Sequence, residues 1–315
     1  MTPDMRKRMD EQEEPTFCRE RYKLFRTVLG KVQHTSQYTH PEISTAVSLV
    51  SQRMMNPSDL DLQIAFDILR YLTGTVGNAK ATMRMKHCDL YDDPKFTQNP
   101  AHLLSDADLS NDPKTRRSRT GFCSYVFSTL TGWKTQKQTQ VSLSTFESEY
   151  VALSACAQFA RWYKGLLADL GILVSHYEPM VILTDSQSAL TLAQSEIDPT
   201  NKYSRHIENR VKWFKELIRD GTIRLIHIDG TNNIADIFTK VLTFKLFRQF
   251  RDKLLHGDRR EFRKVVQMCL MQYFVVSPHP KLSIPNHYCT CHNPLDFKCP
   301  SFKQRQSLLH TTPPI

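Results

Sequence analysis

The sequence has no apolar run approaching the ~18 residues that a membrane-spanning helix needs. Its opening stretch, Met1 to Pro15, is too charged to be the apolar core of a secretion signal. A secreted disulfide framework is also missing. The eight cysteines (Cys18, Cys88, Cys123, Cys156, Cys269, Cys289, Cys291 and Cys299) are scattered, which agrees with a reducing compartment. No internal repeat is visible. The body of the chain also has little net charge. Residues 241–315 hold 12 Lys and Arg against 4 Asp and Glu, so they carry most of the net charge of +10. A nucleic-acid argument for the first 240 residues therefore has to come from motifs. What is present is ordinary: 40% hydrophobic and 23% charged residues exclude disorder throughout and predict an intracellular globular protein with no membrane partner.

Residues 1–20 read as a charged, frayed leader. From Tyr22 to Leu72 the pattern is helical. Ile43, Val47 and Val50 recur after Pro41, and Leu60, Ile64, Ile68, Leu69 and Leu72 recur after the start signal Asn56-Pro57-Ser58-Asp59, so two amphipathic helices are expected. Gly74 offers a left-handed cap. Residues 76–100 read as linker or strand. Strands follow at His102–Asp106 and Gly121–Phe127, with a third at Val141–Leu143. Thr145–Leu170 reads as a helix, Val181–Thr184 as a buried strand and Ser186–Gln194 as a short helix. Ser204–Arg219 is again helical, Ile223–Ile228 a strand, and Asn233–Leu242 a last helix. This order calls for a mixed sheet flanked by helices, an α/β fold preceded by a small, mostly helical segment. The tail, 246–315, is basic, partly helical and then disordered.

Four acids stand at the ends of apolar runs or on an apolar helix face: Asp106, Glu149, Asp185 and Asp236. Acids at strand ends and on a helix packed against them can converge on one crevice of an open sheet. An all-oxygen site without His or Cys suits a hard cation, magnesium or manganese. Two such ions about 4 Å apart can activate water and stabilise a leaving oxygen at phosphorus. Each acid has another reading. Asp185 fits a helix cap, Asp236 suits a helix N-terminus, and Asp106 fits a turn before Asp108, Asn111, Asp112 and Pro113. Glu149 is followed at helical spacing by Ala152, Leu153, Cys156 and Ala160, whereas Glu147 shares the face of Tyr150, Val151, Ser154 and Gln158. An acid on the small, apolar side needs a partner, either a cation, a core Arg or a first-turn role.

Five elements then resemble, in order, the ribonuclease H of copia-type retrotransposons. They are Ser105-Asp106-Ala107-Asp108 with Arg116-Arg117-Ser118-Arg119-Thr120-Gly121-Phe122; the stretch Ser142 to Ser154; Thr184-Asp185-Ser186-Gln187-Ser188-Ala189; Arg205-His206-Ile207-Glu208; and Ala235-Asp236-Ile237-Phe238-Thr239-Lys240. Upstream, Phe25 to Gly30, His40-Pro41-Glu42-Ile43 and Ile68 to Thr75 resemble the end of the same polyprotein's reverse transcriptase. The likeness covers about residues 22–255. The polymerase's paired aspartates have no counterpart, so the chain resembles a fragment that does not polymerise DNA by itself. Leu109 replaces a family Trp, Phe122 and Phe146 are mild changes, and Arg119 stands where a small residue is usual.

The resemblance implies a ribonuclease H-like domain at 101–245, a helical remnant of the reverse transcriptase at 21–75, and catalytic, metal-binding roles for Asp106, Glu149, Asp185 and Asp236. The cofactor implied is magnesium, with manganese as a substitute. The partners implied are an RNA–DNA hybrid and the reverse transcriptase portion of the polyprotein, in the cytoplasm within virus-like particles or in the nucleus. Substrate contacts are expected from Ser186, Gln187, Arg116, Arg117 and His206; Arg116, Arg117, Arg119, Lys134 and Lys137 read either as phosphate grips or as part of a solvated loop. His206 and His227 read as proton shuttles or as structural histidines. The rival reading is a decayed or domesticated remnant, catalytically inactive, that keeps only nucleic-acid binding. A zinc site at Cys289, Cys291, His292 and Cys299 is disfavoured by its CxC spacing.

Overall fold

The computed structural model describes residues 1–75, 101–126, 129–172, 179–195 and 205–256. Every described residue belongs to the unit Met1–Cys269. The expected linker at 76–100, the tail beyond His256 and its cysteines lie outside the described residues.

Strands β1 (Ala101–Asp108), β2 (Arg119–Val126), β3 (Thr129–Lys137), β4 (Met180–Thr184) and β5 (Ile223–His227) form one sheet in the order β3-β2-β1-β4-β5. β1, β2 and β3 are antiparallel neighbours, whereas β4 lies parallel to both β1 and β5. The inner strands are buried on both faces, β2 and β4 along their whole length, because helices cover the sheet. This is the expected α/β architecture, a mixed sheet flanked by helices.

One face packs against α5 (Thr145–Asp169), α6 (Gln187–Gln194) and α7 (Arg205–Arg219), around Leu103, Phe122, Leu153, Ile182 and Phe214. The other packs Leu104, Cys123, Leu183 and Ile226 against a 3-10 turn at Ile234–Phe238 and α8 (Phe244–His256). The third strand is β3, not Val141–Leu143. Val141 and Leu143 are exposed in the connection to α5, and two apolar residues there lack the length and the sheet partner that a strand needs. The last helix is likewise divided, with the short 3-10 turn separated from α8 by Thr239–Thr243.

Before the sheet come α1 (Pro3–Glu11), α2 (Arg19–Tyr38), a 3-10 turn at Pro41–Ile43, α3 (Ser44–Ser51) and α4 (Asp59–Thr75). Phe25, Leu29, Val47, Val50, Ile64 and Ile68 build their shared core. The leader is helical rather than frayed. Thr2 Oγ1 accepts from the Met5 backbone N–H at 3.2 Å, Pro3 starts the helix, and Met1, Met5 and Met9 form a stripe packed on that core. α4 runs through Gly74 to Thr75, and the left-handed caps fall instead at Gly171 and Gly221, with φ of 68° and 74°.

The helical segment is joined to the sheet by buried or half-buried hydrogen bonds. Trp133 Nε1 donates to the Ser36 carbonyl at 2.9 Å, and Thr45 Oγ1 to the Ile237 carbonyl at 2.7 Å. The 3-10 turn can lie close over β2 because residue 121 is glycine. A Cβ there would stand 2.6 Å from Thr239 Cγ2 and 2.8 Å from Phe238 Cβ.

Candidate functional site

β1 pairs with β4 only as far as Leu104 opposite Leu183, so Asp106 lies just past that ladder. Asp185 directly follows the last residue of β4. From β1 the chain builds the sheet outward through β2 and β3, then returns to the opposite side as β4. The two aspartates therefore sit at the carboxyl ends of neighbouring parallel strands, at the point where the strand order reverses, which is the usual crevice of an open α/β sheet. Glu149 comes to them from the first turns of α5. Ala152, Cys156, Ala157 and Ala160 are fully buried on that helix, and their small side chains allow close packing against the sheet.

One oxygen each of Asp106, Glu149 and Asp185 lies within 4.8 Å of the others. Asp106 and Glu149 are buried, at 1% and 6% exposure, and Asp185 is half-buried. Burial, reinforced by the charge of Asp236, holds the Asp106 carboxyl well above the usual carboxylate range. Burial, then the charges of Asp106 and Asp185, pushes Glu149 up to about 9. Glu149 accepts from the Ala107 backbone N–H, yet its Oε2 is buried with no hydrogen-bond partner. A buried carboxylate that keeps an orphaned oxygen and clusters with two more carboxylates is what a hard cation would satisfy, so the residues present fit a magnesium or manganese ion.

The alternative roles of Asp185 and Glu149 are filled by their neighbours. Ser186 caps α6, its Oγ accepting from the Ala189 N–H at 3.3 Å, so Asp185 is free of that task. Glu147 forms a capping box with Ser144: Ser144 Oγ accepts from the Glu147 N–H at 3.2 Å, and Glu147 Oε2 accepts from the Leu143 N–H at 2.7 Å. Asn233 Oδ1 caps the 3-10 turn through the Ala235 N–H at 3.2 Å, and Asp236 stands in its first turn, as its alternative reading expected.

Asp236 is not one of the three converging carboxylates. It hydrogen-bonds to Asp106 side chain to side chain and also shares a cation with it: Lys240 Nζ donates to Asp236 Oδ1 at 2.7 Å and lies 3.4 Å from Asp106 Oδ1. The other Asp106 oxygen accepts from the Thr239 hydroxyl. Burial raises the Asp236 carboxyl above its ordinary value while Lys240 opposes the rise. For Lys240 burial favours the neutral amine, but the surrounding aspartates prevail and raise it. Asn233 is fully buried, and its Nδ2 donates to the Ser105 carbonyl at 3.0 Å and to Asp185 Oδ1 at 3.1 Å, which ties β1 to Asp185. Gly230 backs onto Asp185, where a Cβ would lie 3.1 Å from Oδ2. Asn233, Thr239 and Lys240 are site residues that sequence reasoning missed. A usable signal was present, since Lys240 follows Asp236 by one helical turn and Asn233 precedes it at a cap position.

The expected substrate contacts are placed unevenly. Ser186 is occupied as a cap and Gln187 is exposed beside it. Arg116, with φ of 57°, is exposed and Arg117 is half-buried in the turn between β1 and β2. Arg119 is not a phosphate grip. It is 1% exposed and donates to Ser48 Oγ at 2.8 Å, Thr135 Oγ1 at 3.1 Å and Asn111 Oδ1 at 3.2 Å, so its length spans from sheet to helical segment. Lys137 is held by Asp112 at 2.6 Å, while Lys134 is exposed on β3. His227 ends β5 opposite Thr184. The backbone of His206 lies in α7, and its side chain is outside the described residues.

No family model matches the chain. It is 30% identical over 218 residues to the retrovirus-related Pol polyprotein from transposon TNT 1-94 of Nicotiana tabacum, covering 69% of this chain and 15% of that one. It is 28% identical over 230 residues to the Pol polyprotein from transposon RE1 of Arabidopsis thaliana, covering 73% and 15%. The chain thus spans a small part of the length of these polyproteins. Among solved structures, ribonuclease H1 from Halobacterium salinarum aligns at 14% identity and a TM-score of 0.31, covering 44% of this chain and 93% of that one. The foamy viral protease-reverse transcriptase in complex with RNA/DNA hybrid aligns at 12% identity and a TM-score of 0.38, covering 73% and 27%. Among the described residues no helix is long and apolar enough to cross a membrane. Over about 70% of its length the chain is related in sequence to the copia-type retrotransposon Pol polyproteins, and its fold is a mixed five-stranded sheet flanked by helices.

Proposed function

We propose that residues 101–245 act as a ribonuclease H that hydrolyses the RNA strand of RNA–DNA hybrids, with Asp106, Glu149, Asp185 and Asp236 holding divalent cations, magnesium or manganese. The convergence of Asp106, Glu149 and Asp185 from two strands and a helix onto one pocket is the observation that carries this reading. The relationship to Pol polyproteins supplies the substrate class. Residues 21–75 are read as the end of a reverse transcriptase region, and 246–315 as a basic tail.

Cations bound there would supply charge to the scissile phosphate and bring the pKa of a bound water toward neutrality. The protein's own contribution is position. β1 and β4 fix Asp106 and Asp185 at strand ends, α5 brings Glu149 to them, and Asn233 sets the plane of the Asp185 carboxylate. Arg116, Arg117, Ser186 and Gln187 lie on turns at the ends of β1 and β4, where a hybrid's phosphates and 2′-hydroxyls would be met. His206, from α7, completes the proposed contacts.

The test is cleavage of a hybrid labelled on each strand in turn by the full chain. RNA-strand cuts that need magnesium and vanish in Asp185→Asn, with melting behaviour unchanged, are expected. Equal cutting by wild type and Asp185→Asn rules the reading out.

A further inference from the structure

We infer that Lys240 is a built-in counter-ion for one half of the site, a positioning residue whose ammonium competes with a divalent ion for Asp106 and Asp236. The inference rests on the proposed cation-binding role of the four acids and goes beyond it, because it predicts that the two halves of the site load unequally.

The geometry is asymmetric. On one side, three carboxylates face one another with no cationic side chain bound to Glu149, whose Oε2 is buried without a partner. On the other, Asp236 Oδ1 is 2.7 Å from Lys240 Nζ, which also reaches Asp106 Oδ1 at 3.4 Å. The second Asp106 oxygen is taken by the Thr239 hydroxyl. A divalent ion shared by Asp106 and Asp236 would stand where the ammonium stands, and two cations in one place repel strongly when the surroundings are poorly solvated.

The lysine can leave. Its side chain is 36% exposed and carries its charge on a flexible four-carbon stem. It can therefore swing toward solvent when an ion of higher charge takes the two oxygens. Until then it cancels part of the repulsion between Asp106 and Asp236, and so maintains the fold around an acidic cluster that would otherwise strain it. Asp106, shared by both halves, couples the two events.

The experiment is a manganese titration of the full chain followed by electron paramagnetic resonance, with thermal melting in chelator and in manganese alongside. Wild type should bind one ion tightly and a second weakly. Lys240→Met should bind the second about tenfold more tightly, the effect of removing one ion pair. Lys240→Gln keeps a hydrogen-bond donor but not the charge, and should behave the same, whereas Lys240→Arg should bind like wild type. Both neutral variants should melt lower than wild type in chelator and gain more from manganese. Unchanged or weaker second-ion affinity in both neutral variants overturns the inference, and so does a wild-type protein that binds two ions equally well. If no variant binds manganese, the inference and the metal reading fall together. A second ion gained by Lys240→Met in a protein that does not cut hybrids sustains the inference and removes the nuclease reading.

Discussion

The two halves of the acidic site are built from different materials. Asp106, Glu149 and Asp185 are carried at the ends of two strands and by a long helix, all seated in the central core, and no basic side chain is bound to Glu149, whose Oε2 has no hydrogen-bond partner. Asp236 is carried by a five-residue 3-10 turn and is already paired, to Lys240. That turn is held from outside the sheet, since Thr45 of α3 donates to the Ile237 carbonyl and Gly121 of β2 leaves room beneath Phe238 and Thr239. One half is fixed by regular structure and keeps an unpartnered oxygen on Glu149. The other is electrostatically satisfied and depends on a distant segment for its position.

Substitutions can separate these halves. The largest effect is expected at Asp185, where Asn should lower hybrid cleavage by on the order of 10²–10³-fold. Asp236→Asn should cost less, because it leaves the three converging carboxylates intact. Equal losses measured in single-turnover assays would erase the distinction. Gly121→Ala puts a methyl group into Thr239 and Phe238, an overpacking cost of about 1–3 kcal/mol that should appear as a lower melting temperature. Added manganese should recover little of it, since the lesion is steric.

Glu149 sharpens the contrast through pH. Its folded value of about 9 lies above its ordinary 4.5, so the folded protein keeps a proton that the unfolded chain releases. In chelator, the Glu149 contribution to stability should therefore be fullest below pH ~4.5 and be lost as pH rises toward ~9, so wild type should lose stability relative to Glu149→Gln across that window. Asp106, also raised, contributes with the same sign. A melting-temperature difference between wild type and Glu149→Gln that does not change with pH over this window in chelator contradicts the burial argument. The smallest effect belongs to Thr45→Val, which removes one hydrogen bond to the Asp236 turn, about 1 kcal/mol. It should weaken the second manganese ion and leave the first unchanged, as the titration described for Lys240 can show.

Much of this was legible along the chain. The helix of Glu149, the strand before Asp185 and the spacing of α7 follow from periodicity, and the face argument separated Glu149 from Glu147 for a reason the capping box makes concrete. What periodicity does not encode was missed. β3, from Thr129 to Lys137, lies at a sheet edge and mixes polar with apolar positions, so its pattern is weak, while Val141 and Leu143 imitate a strand without a partner. Arg119 looks like a surface charge in sequence, and only the packing of α3 against the sheet makes it a buried tie. Met1, Met5 and Met9 have helical spacing, but the surrounding charges conceal it. Lys240 was visible inside a motif, yet its contact with Asp106 joins residues 134 positions apart, which no local pattern reveals.

The account's central claim is a cation pocket shared by Asp106, Glu149 and Asp185, and the most direct measurement is anomalous X-ray diffraction from crystals of the full chain equilibrated with limiting manganese. The first manganese peak should lie among those three carboxylates, with Lys240 still on Asp236. A well-ordered protein whose first manganese binds elsewhere, or that leaves these oxygens without an ion at saturating manganese, contradicts it.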